Sequence, residues 1–127
     1  RHGQRALALI QTIPDNSSVA ATTGLIPHLA NREVLIRFPY HDRYQNQDGQ
    51  PVPVEWVAAD LHNQRLFQTF RKQRKGLKRN LRQLNELSEQ GYGVVAFDDD
   101  VVLLQQQAQT NAVAQQAFNA FSESLNF

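Results

Sequence analysis

The fold is decided by Ser17-Ser-Val-Ala-Ala-Thr-Thr-Gly-Leu-Ile-Pro-His-Leu-Ala-Asn-Arg-Glu-Val-Leu-Ile-Arg-Phe-Pro39, which holds two short apolar runs separated by a glycine turn and a compact helical segment. The first run, Val19 to Thr22, predicts a small strand. Leu25 to Ala30 predicts the helix, with Pro27 in its first turn, where a missing N–H costs least. The second run, Val34 to Phe38, predicts a strand covered on both faces. The stretch therefore predicts a strand-helix-strand unit.

The segments on either side of this unit extend the pattern. Gln4 to Ile13 carries apolar residues at helical spacing and predicts a short amphipathic helix. Tyr40 to Pro53 is polar and rich in turn residues, which predicts a mobile loop. Val54 to Leu61 predicts a third strand, central in the sheet, whose carboxyl end carries the carboxylate of Asp60.

The second half of the chain predicts a long helix followed by a hairpin. Gln64 to Gln90 has helical periodicity, and Gly76 predicts a break into two pieces because glycine destabilises a helix interior. Beyond Gly91, two apolar runs flank Asp98-Asp99-Asp100 and predict a β-hairpin. The apolar stripe of the long helix consists of Leu66, Phe70, Leu77, Leu81, Leu84 and Leu87.

These segments together predict an α/β fold, a small mixed β-sheet of about five strands packed with helices. The first part of the sheet is expected to be parallel, and its end is expected to be the antiparallel hairpin. We expect one soluble domain over residues 1–127, with a C-terminal helical tail over 106–127. The chain begins Arg1-His2-Gly3-Gln4 and has no methionine, which predicts a fragment of a longer protein.

The composition excludes several classes of site. With no cysteine, the chain can form no disulfide, thiolate metal site or cysteine nucleophile. A formal net charge of +1 gives no overall field that would favour nucleic acid or an anionic membrane. No nucleophile–base pair, metal-ligand set or phosphate loop can be assembled from the motifs, so we expect no catalytic residue and no cofactor in this domain.

The order of several short motifs resembles that of a known family. These motifs are Leu25-Ile26-Pro27-His28-Leu29-Ala30-Asn31-Arg32, then Ile36-Arg37-Phe38-Pro39, Trp56-Val57-Ala58-Ala59-Asp60, and Tyr92-Gly93-Val94-Val95 with Asp100-Val101-Val102-Leu103-Leu104. They resemble the soluble C-terminal domain of DUF2079, a family of bacterial predicted membrane proteins of unknown function. The resemblance spans roughly residues 13 to 105.

This resemblance implies a location and a class of parent protein. The membrane part of the family is similar in layout to lipid-dependent glycosyltransferases, whose soluble tails face the extracytoplasmic, periplasmic side. It implies a noncatalytic domain that helps such a parent to bind a substrate or partner, and it transfers no catalytic residue. The sequence departs from the family pattern in the polar segment 40–53 and in the Gln-rich tail.

The strongest candidate ligand site lies where the first strand meets the helix. Thr22-Thr23-Gly24 has a geometry whose exposed amides can hold an anion, but it lacks the multiple glycines of a phosphate loop, which favours a helix cap at Thr22 or Thr23 and a tight turn. Because parallel sheets place pockets outside the carboxyl ends of their strands, we expect any pocket near Thr22, Thr23, Pro39 and Asp60. The domain would then be a small-ligand-binding α/β module.

Two further features have a functional and a structural interpretation. His28 could bind a metal or act as a base, but no second ligand stands at metal-site spacing, and neither His41 nor His62 supplies one, which favours a hydrogen-bonding role. Asp98-Asp99-Asp100 could suggest calcium, but it lacks the spaced ligands of a calcium loop and suits a hairpin turn. We therefore predict no metal site.

Basic residues are concentrated in one segment of the chain. Seven of the thirteen basic residues fall in twelve positions, namely Arg71, Lys72, Arg74, Lys75, Lys78, Arg79 and Arg82. The cluster is consistent with a solvated helix face, with contact to anionic lipid headgroups, or with a nucleic-acid surface. A membrane-bound parent favours lipid over nucleic acid. The partners expected from sequence are thus the membrane portion of the parent and anionic lipid.

Overall fold

The computed structural model describes residues 1–125. Its elements, in chain order, are helix α1 (His2–Ile10), strand β1 (Val19–Ala21), a 3-10 helix (Thr23–Leu29), strands β2 (Leu35–Arg37), β3 (Arg43–Gln45), β4 (Pro51–Pro53) and β5 (Trp56–Asp60), helices α2 (His62–Leu66) and α3 (Arg71–Glu89), strands β6 (Tyr92–Asp98) and β7 (Val101–Gln106), and helix α4 (Ala112–Glu123).

The main sheet has five strands in the order β2-β1-β5-β7-β6. β1 pairs in parallel with both β2 and β5, whereas β7 runs antiparallel to β5 and β6. This arrangement confirms the predicted fold class, including the central position of β5 and the C-terminal hairpin. Two residues of the hairpin turn, Asp99 and Asp100, have φ of +49° and +70°, the left-handed pair that a type I′ turn requires.

Helices cover both faces of this sheet. Side chains alternate between the faces along each strand, so Trp56 and Ala58 pack with α1 and the 3-10 helix. Val57 and Ala59 point the other way and pack with α3 and α4. The result is a three-layer structure with one apolar core on each side of the sheet.

The predicted C-terminal tail belongs to one of these cores. Helix α4 begins at an Asn111 cap, whose side-chain oxygen accepts a hydrogen bond from the backbone N–H of Ala114 at 3.0 Å. Phe118 and Phe121 are buried in the α3 side of the core. Of the predicted tail, the last two residues lie outside the described range.

Two sequence predictions about strands are wrong. β2 is not covered on both faces, because it lies at the sheet edge, where Leu35 and Ile36 are only partly buried and Arg37 is exposed.

The polar segment 40–53 is not an irregular loop, because β3 and β4 pair as an antiparallel hairpin. Its turn is closed by the Asn46 side chain, which accepts hydrogen bonds from two backbone N–H groups at 3.0 Å. Prolines are tolerated in β4 because it is an edge strand with one partner.

The long helix is divided, but not where the glycine predicts. The break falls at residues 67–70, and Gly76 lies buried inside α3. Consequently two members of the predicted apolar stripe, Leu66 and Phe70, are exposed at 52% and 63%. The other four, on α3 itself, are buried as predicted.

Candidate functional site

A cleft of about 220 Å³ opens at the carboxyl ends of β1 and β5. The cleft results from the parallel arrangement of these strands. Because β1 and β5 end at the same edge of the sheet, the chain leaves the sheet there twice and continues each time into a helical segment. The lining combines hydroxyl, amide, carboxylate and guanidinium groups with one exposed aromatic ring. Its residues are Thr22, Thr23, Gly24, Phe38, Pro39, Tyr40, Asp60, Asn63, Gln64, Arg79 and Asn80.

Thr22 and Asp60 link the two strand ends. The backbone N–H of Asp60 donates to the Thr22 hydroxyl oxygen at 2.9 Å, and the backbone N–H of Thr22 donates to the Ala58 carbonyl at 3.1 Å. Thr22 therefore does not cap the 3-10 helix with its side chain, contrary to the sequence expectation. Its hydroxyl is used instead to hold the Asp60 backbone in the cleft wall.

Asn80 supplies a buried polar group with unused bonding capacity. Its side chain is only 3% exposed, and its amide nitrogen donates to the Gln64 side-chain oxygen at 2.9 Å. Its own carbonyl oxygen, Oδ1, has no hydrogen-bond partner among the described residues. A buried acceptor without a partner is costly, typically about 1–3 kcal/mol, so a donor from a ligand or a bound water would stabilise this wall.

Gly76 explains how Gln64 reaches Asn80. A Cβ at position 76 would lie 2.7 Å from the Gln64 side-chain nitrogen, closer than two such atoms normally approach. The absence of a side chain lets Gln64, on α2, lie against α3 one turn before Asn80. The glycine therefore shapes the cleft and does not break the helix.

The cleft also has cationic groups at its edge. The Arg79 guanidinium donates to the Tyr40 hydroxyl at 3.4 Å and lies 5.3 Å from the centre of the Tyr40 ring. Arg37 lies 5.5 Å from the same ring and donates to the Thr23 hydroxyl at 3.2 Å. Such cation–π contacts hold both guanidinium groups near the mouth of the cleft. Neither arginine forms an ion pair with a carboxylate of residues 1–125.

The Asp60 carboxylate is already paired on its far side. His2, in the first turn of α1, approaches the two Asp60 oxygens with Nε2 at 2.8 and 2.9 Å, and its Nδ1 lies 2.8 Å from Asp99. Burial of the imidazole acts to lower the pKa of His2, but the hydrogen bonds to Asp60 and Asp99 outweigh it and raise the pKa above 6.5. The Asp60 carboxylate is thus already hydrogen-bonded on the side that faces His2, and Arg79 supplies the guanidinium among the residues that line the cleft.

A second histidine completes this charge cluster. His62 stacks on His2 with ring centres 3.9 Å apart and an interplanar angle of 14°, and its Nδ1 lies 2.9 Å from Asp100. The Asp100 oxygen also accepts from Arg65 Nε at 2.6 Å. The hairpin turn is thereby tied to α1 and α2, and Arg5 of α1 adds an ion pair with Asp98.

The cluster has metal-ligand residue types without metal-site geometry. Atoms of His2, His62 and Asp99 lie within 4.8 Å of one another. However, nearly parallel imidazole rings do not point their nitrogens at a common centre, as tetrahedral coordination requires. Both nitrogens of His2 also face carboxylates already. We interpret the cluster as a charge-paired clamp.

The structure brings together most of the candidate residues from the sequence. Thr22, Thr23, Gly24 and Asp60 line one cleft together with Pro39. His28 does not belong to it, being exposed on the 3-10 helix away from the lining. Sequence reasoning missed Asn80 and Tyr40 as lining residues and His2 as the Asp60 partner, because their relation to the strand ends depends on tertiary packing.

The basic cluster of α3 lies on the surface. Arg71, Lys72, Lys75, Lys78, Arg79 and Arg82 are exposed, and Arg74 is partly buried. Of these residues, Arg79 alone also lines the cleft.

Comparison with known proteins gives a family. The model of a family described as predicted membrane protein (DUF2079) matches residues 1–103. The chain belongs to the DUF2079 family. The match covers α1 through the first half of β7, so it includes the cleft and the charge-paired clamp. No curated protein and no solved structure matches the chain. None of the helices described for this family member is both long enough and apolar enough to cross a bilayer.

Proposed function

We propose that this chain is a noncatalytic, extracytoplasmic domain of a membrane protein, and that it binds the polar part of a ligand in the strand-end cleft. In this proposal the domain assists a membrane portion with a glycosyltransferase-like layout by holding a phosphate- or hydroxyl-bearing substrate group. The membrane context follows from the family. The side of the membrane, the accessory role and the ligand are our inference.

The observation that carries the proposal is the unpaired Asn80 oxygen in the cleft wall. A ligand hydroxyl would donate to this oxygen, and the Gln64 contact holds the amide in place to receive it. Hydroxyl-rich ligands are recognised by such converging amide and carboxylate groups.

The charged groups of the cleft suit a ligand that also carries an anion. Arg79 provides a guanidinium that matches phosphate oxygens geometrically, and Arg37 provides a second one beside Thr23. The Asp60 carboxylate is engaged on its other side, where both of its oxygens lie within hydrogen-bond distance of His2 Nε2. A sugar phosphate combines both features.

A titration with glucose 1-phosphate and with inorganic phosphate tests the ligand class. Arg79→Gln should weaken binding by about tenfold or more, because it removes a charge-assisted hydrogen-bond donor. The matched control is Arg82→Gln, which removes an exposed cation from the same helix outside the cleft. Equal binding by both variants, or no binding of either probe to the unaltered chain, would contradict the proposal.

The side of the membrane is tested by labelling. The chain has no cysteine, so Val113→Cys, at a position 76% exposed, introduces one thiol into this domain. In cells that make the complete membrane protein, a membrane-impermeant maleimide should label this thiol before lysis. A variant without the introduced cysteine gives the background. Labelling only after lysis would place the domain on the cytoplasmic side and overturn the assignment.

A further inference from the structure

An apolar patch lies at the junction of α2 and α3. Leu66, Phe67 and Phe70 are 52%, 49% and 63% exposed, although two of them have the helical spacing of a core stripe. Single exposed apolar residues are ordinary, but three large ones in five positions form a local surface feature. We call Leu66, Phe67 and Phe70 the apolar patch.

The backbone that presents the patch is held in place. The N–H of Phe70 donates to the Phe67 carbonyl at 3.0 Å, which closes a turn between the two helices. Arg74 Nη1 donates to the Gln68 carbonyl at 3.3 Å. The Phe67 and Phe70 rings lie side by side, with centres 6.4 Å apart. The rings are thus displayed by an ordered turn and are not parts of an unfolded linker.

Cations border the patch, and helix stability does not explain their position. Arg71, Lys72 and Lys75 are exposed in the first turns of α3, which has no acidic residue in its first turn. Positive charge is unfavourable at a helix N-terminus because the macrodipole is positive there. The sequence contains no acidic residue between Asp60 and Glu86 that would balance them. This placement indicates an anionic partner.

We propose that the apolar patch and these cations dock the domain on the surface of a bilayer that contains anionic lipid. Phenylalanine and leucine side chains enter the boundary between headgroups and acyl chains, while neighbouring lysines and arginines contact lipid phosphates. The family is one of predicted membrane proteins, so a bilayer is the anionic surface available to this chain. The docking surface does not include the cleft residues and stands independently of the cleft ligand.

Flotation with vesicles tests the proposal. The 127-residue chain should float with vesicles of phosphatidylcholine and phosphatidylglycerol at low salt, and should not float with phosphatidylcholine alone. Lys72→Gln combined with Lys75→Gln should weaken binding by about fivefold for each cation removed. Phe67→Ala combined with Phe70→Ala should weaken it by tenfold or more. Val113→Ala removes an exposed apolar side chain elsewhere and should change nothing.

A second measurement separates insertion from charge attraction. Phe70→Trp places an indole in the patch, whereas the natural Trp56 is buried at 9% exposure. Brominated lipid in anionic vesicles should quench the variant's fluorescence more than that of the unaltered chain. The proposal is overturned if anionic vesicles do not bind the chain, if the double Phe variant binds as well as the parent, or if quenching is equal. It is also overturned if DNA at the same concentration of phosphate charge displaces the chain completely from the vesicles, and if the Phe67 and Phe70 substitutions weaken binding to DNA as much as binding to vesicles.

Discussion

At the scale of single residues, the contacts of Arg32 explain why the motif Leu25 to Arg32 ends in arginine. Its guanidinium donates to the carbonyls of Pro14 and Ser17, each at 2.9 Å, and its Nε donates to the Leu29 carbonyl at 3.1 Å. One side chain thereby joins the turn before β1 to the end of the 3-10 helix. The motif ends in arginine because a planar guanidinium can satisfy several acceptors at once.

We expect Arg32→Met to lower the free energy of unfolding by about 1–3 kcal/mol, since three carbonyls lose a charged donor and at least one is partly buried. Urea denaturation of both proteins measures the change. Arg82→Met is the matched control, because Arg82 is exposed on α3, and its effect should stay within about 0.5 kcal/mol. Similar losses in the two variants would show that Arg32 does not act through these bonds.

The residues of the site differ in how far sequence could place them. Thr22 and Asp60 were predictable as cleft residues, because strand ends of a parallel unit meet at one edge. Asn80 was not, since its position over the cleft depends on the packing of α3 against α2 through Gly76. His2 pairs with Asp60, which is 58 positions away, and a local sequence pattern cannot predict such a contact.

At the scale of elements, the charge-paired clamp holds α1 against the strand ends. His2 faces Asp60 of β5, Asp99 of the hairpin turn and the ring of His62 on α2, while Arg5 pairs with Asp98. The pKa of His2 is raised, so its contribution to stability is complete below its ordinary pKa of 6.5 and is lost as the pH rises through its folded-state value.

We therefore expect His2→Gln to be less stable than the parent at about pH 6, by about 0.5–1 kcal/mol, and the difference to shrink as the pH rises. The hydrogen bond from His2 lowers the pKa of Asp99, so the difference should also shrink in acid, as the pH falls through that lowered value. Thermal unfolding across this pH range measures both limits. His28→Gln, at an exposed histidine, should show no such maximum.

Element boundaries were predictable where local chemistry decides them. The hairpin turn and the C-terminal glycine of α3, Gly91 with φ of +100°, follow from residue types. The division between α2 and α3 did not, because residues 67–70 carry no proline or glycine. The β3–β4 hairpin was missed because its strands have only three residues each and pair only with one another.

At the scale of the whole molecule, two surfaces share the α2–α3 region. Gln64 and Asn80 line the cleft, and Leu66 begins the apolar patch only two residues after Gln64. Positions two apart on a helix project from different faces, so the cleft and the apolar patch are separate surfaces presented by the same pair of helices.

The fold class was accessible from sequence because the strand pattern is strong and alternates cleanly between two cores. The function was accessible only in part, since the family is defined by its membrane context and the cleft by contacts between distant segments. The sequence alone could predict that a ligand site would lie at the carboxyl ends of the parallel strands. The groups that give this edge its chemistry, Arg79 and Asn80, come from a helix whose charge pattern did not point to the cleft.

The central claim is that the strand-end cleft binds a small polar ligand, and an NMR titration of the 127-residue chain with glucose 1-phosphate tests it most directly. We predict saturable shifts of the Asn80 side-chain amide and of the backbone amides of Thr23 and Gly24, with a single affinity that Arg79→Gln weakens. The absence of shifts at Asn80, or small unsaturable shifts scattered over the exposed cations of α3, would contradict the claim.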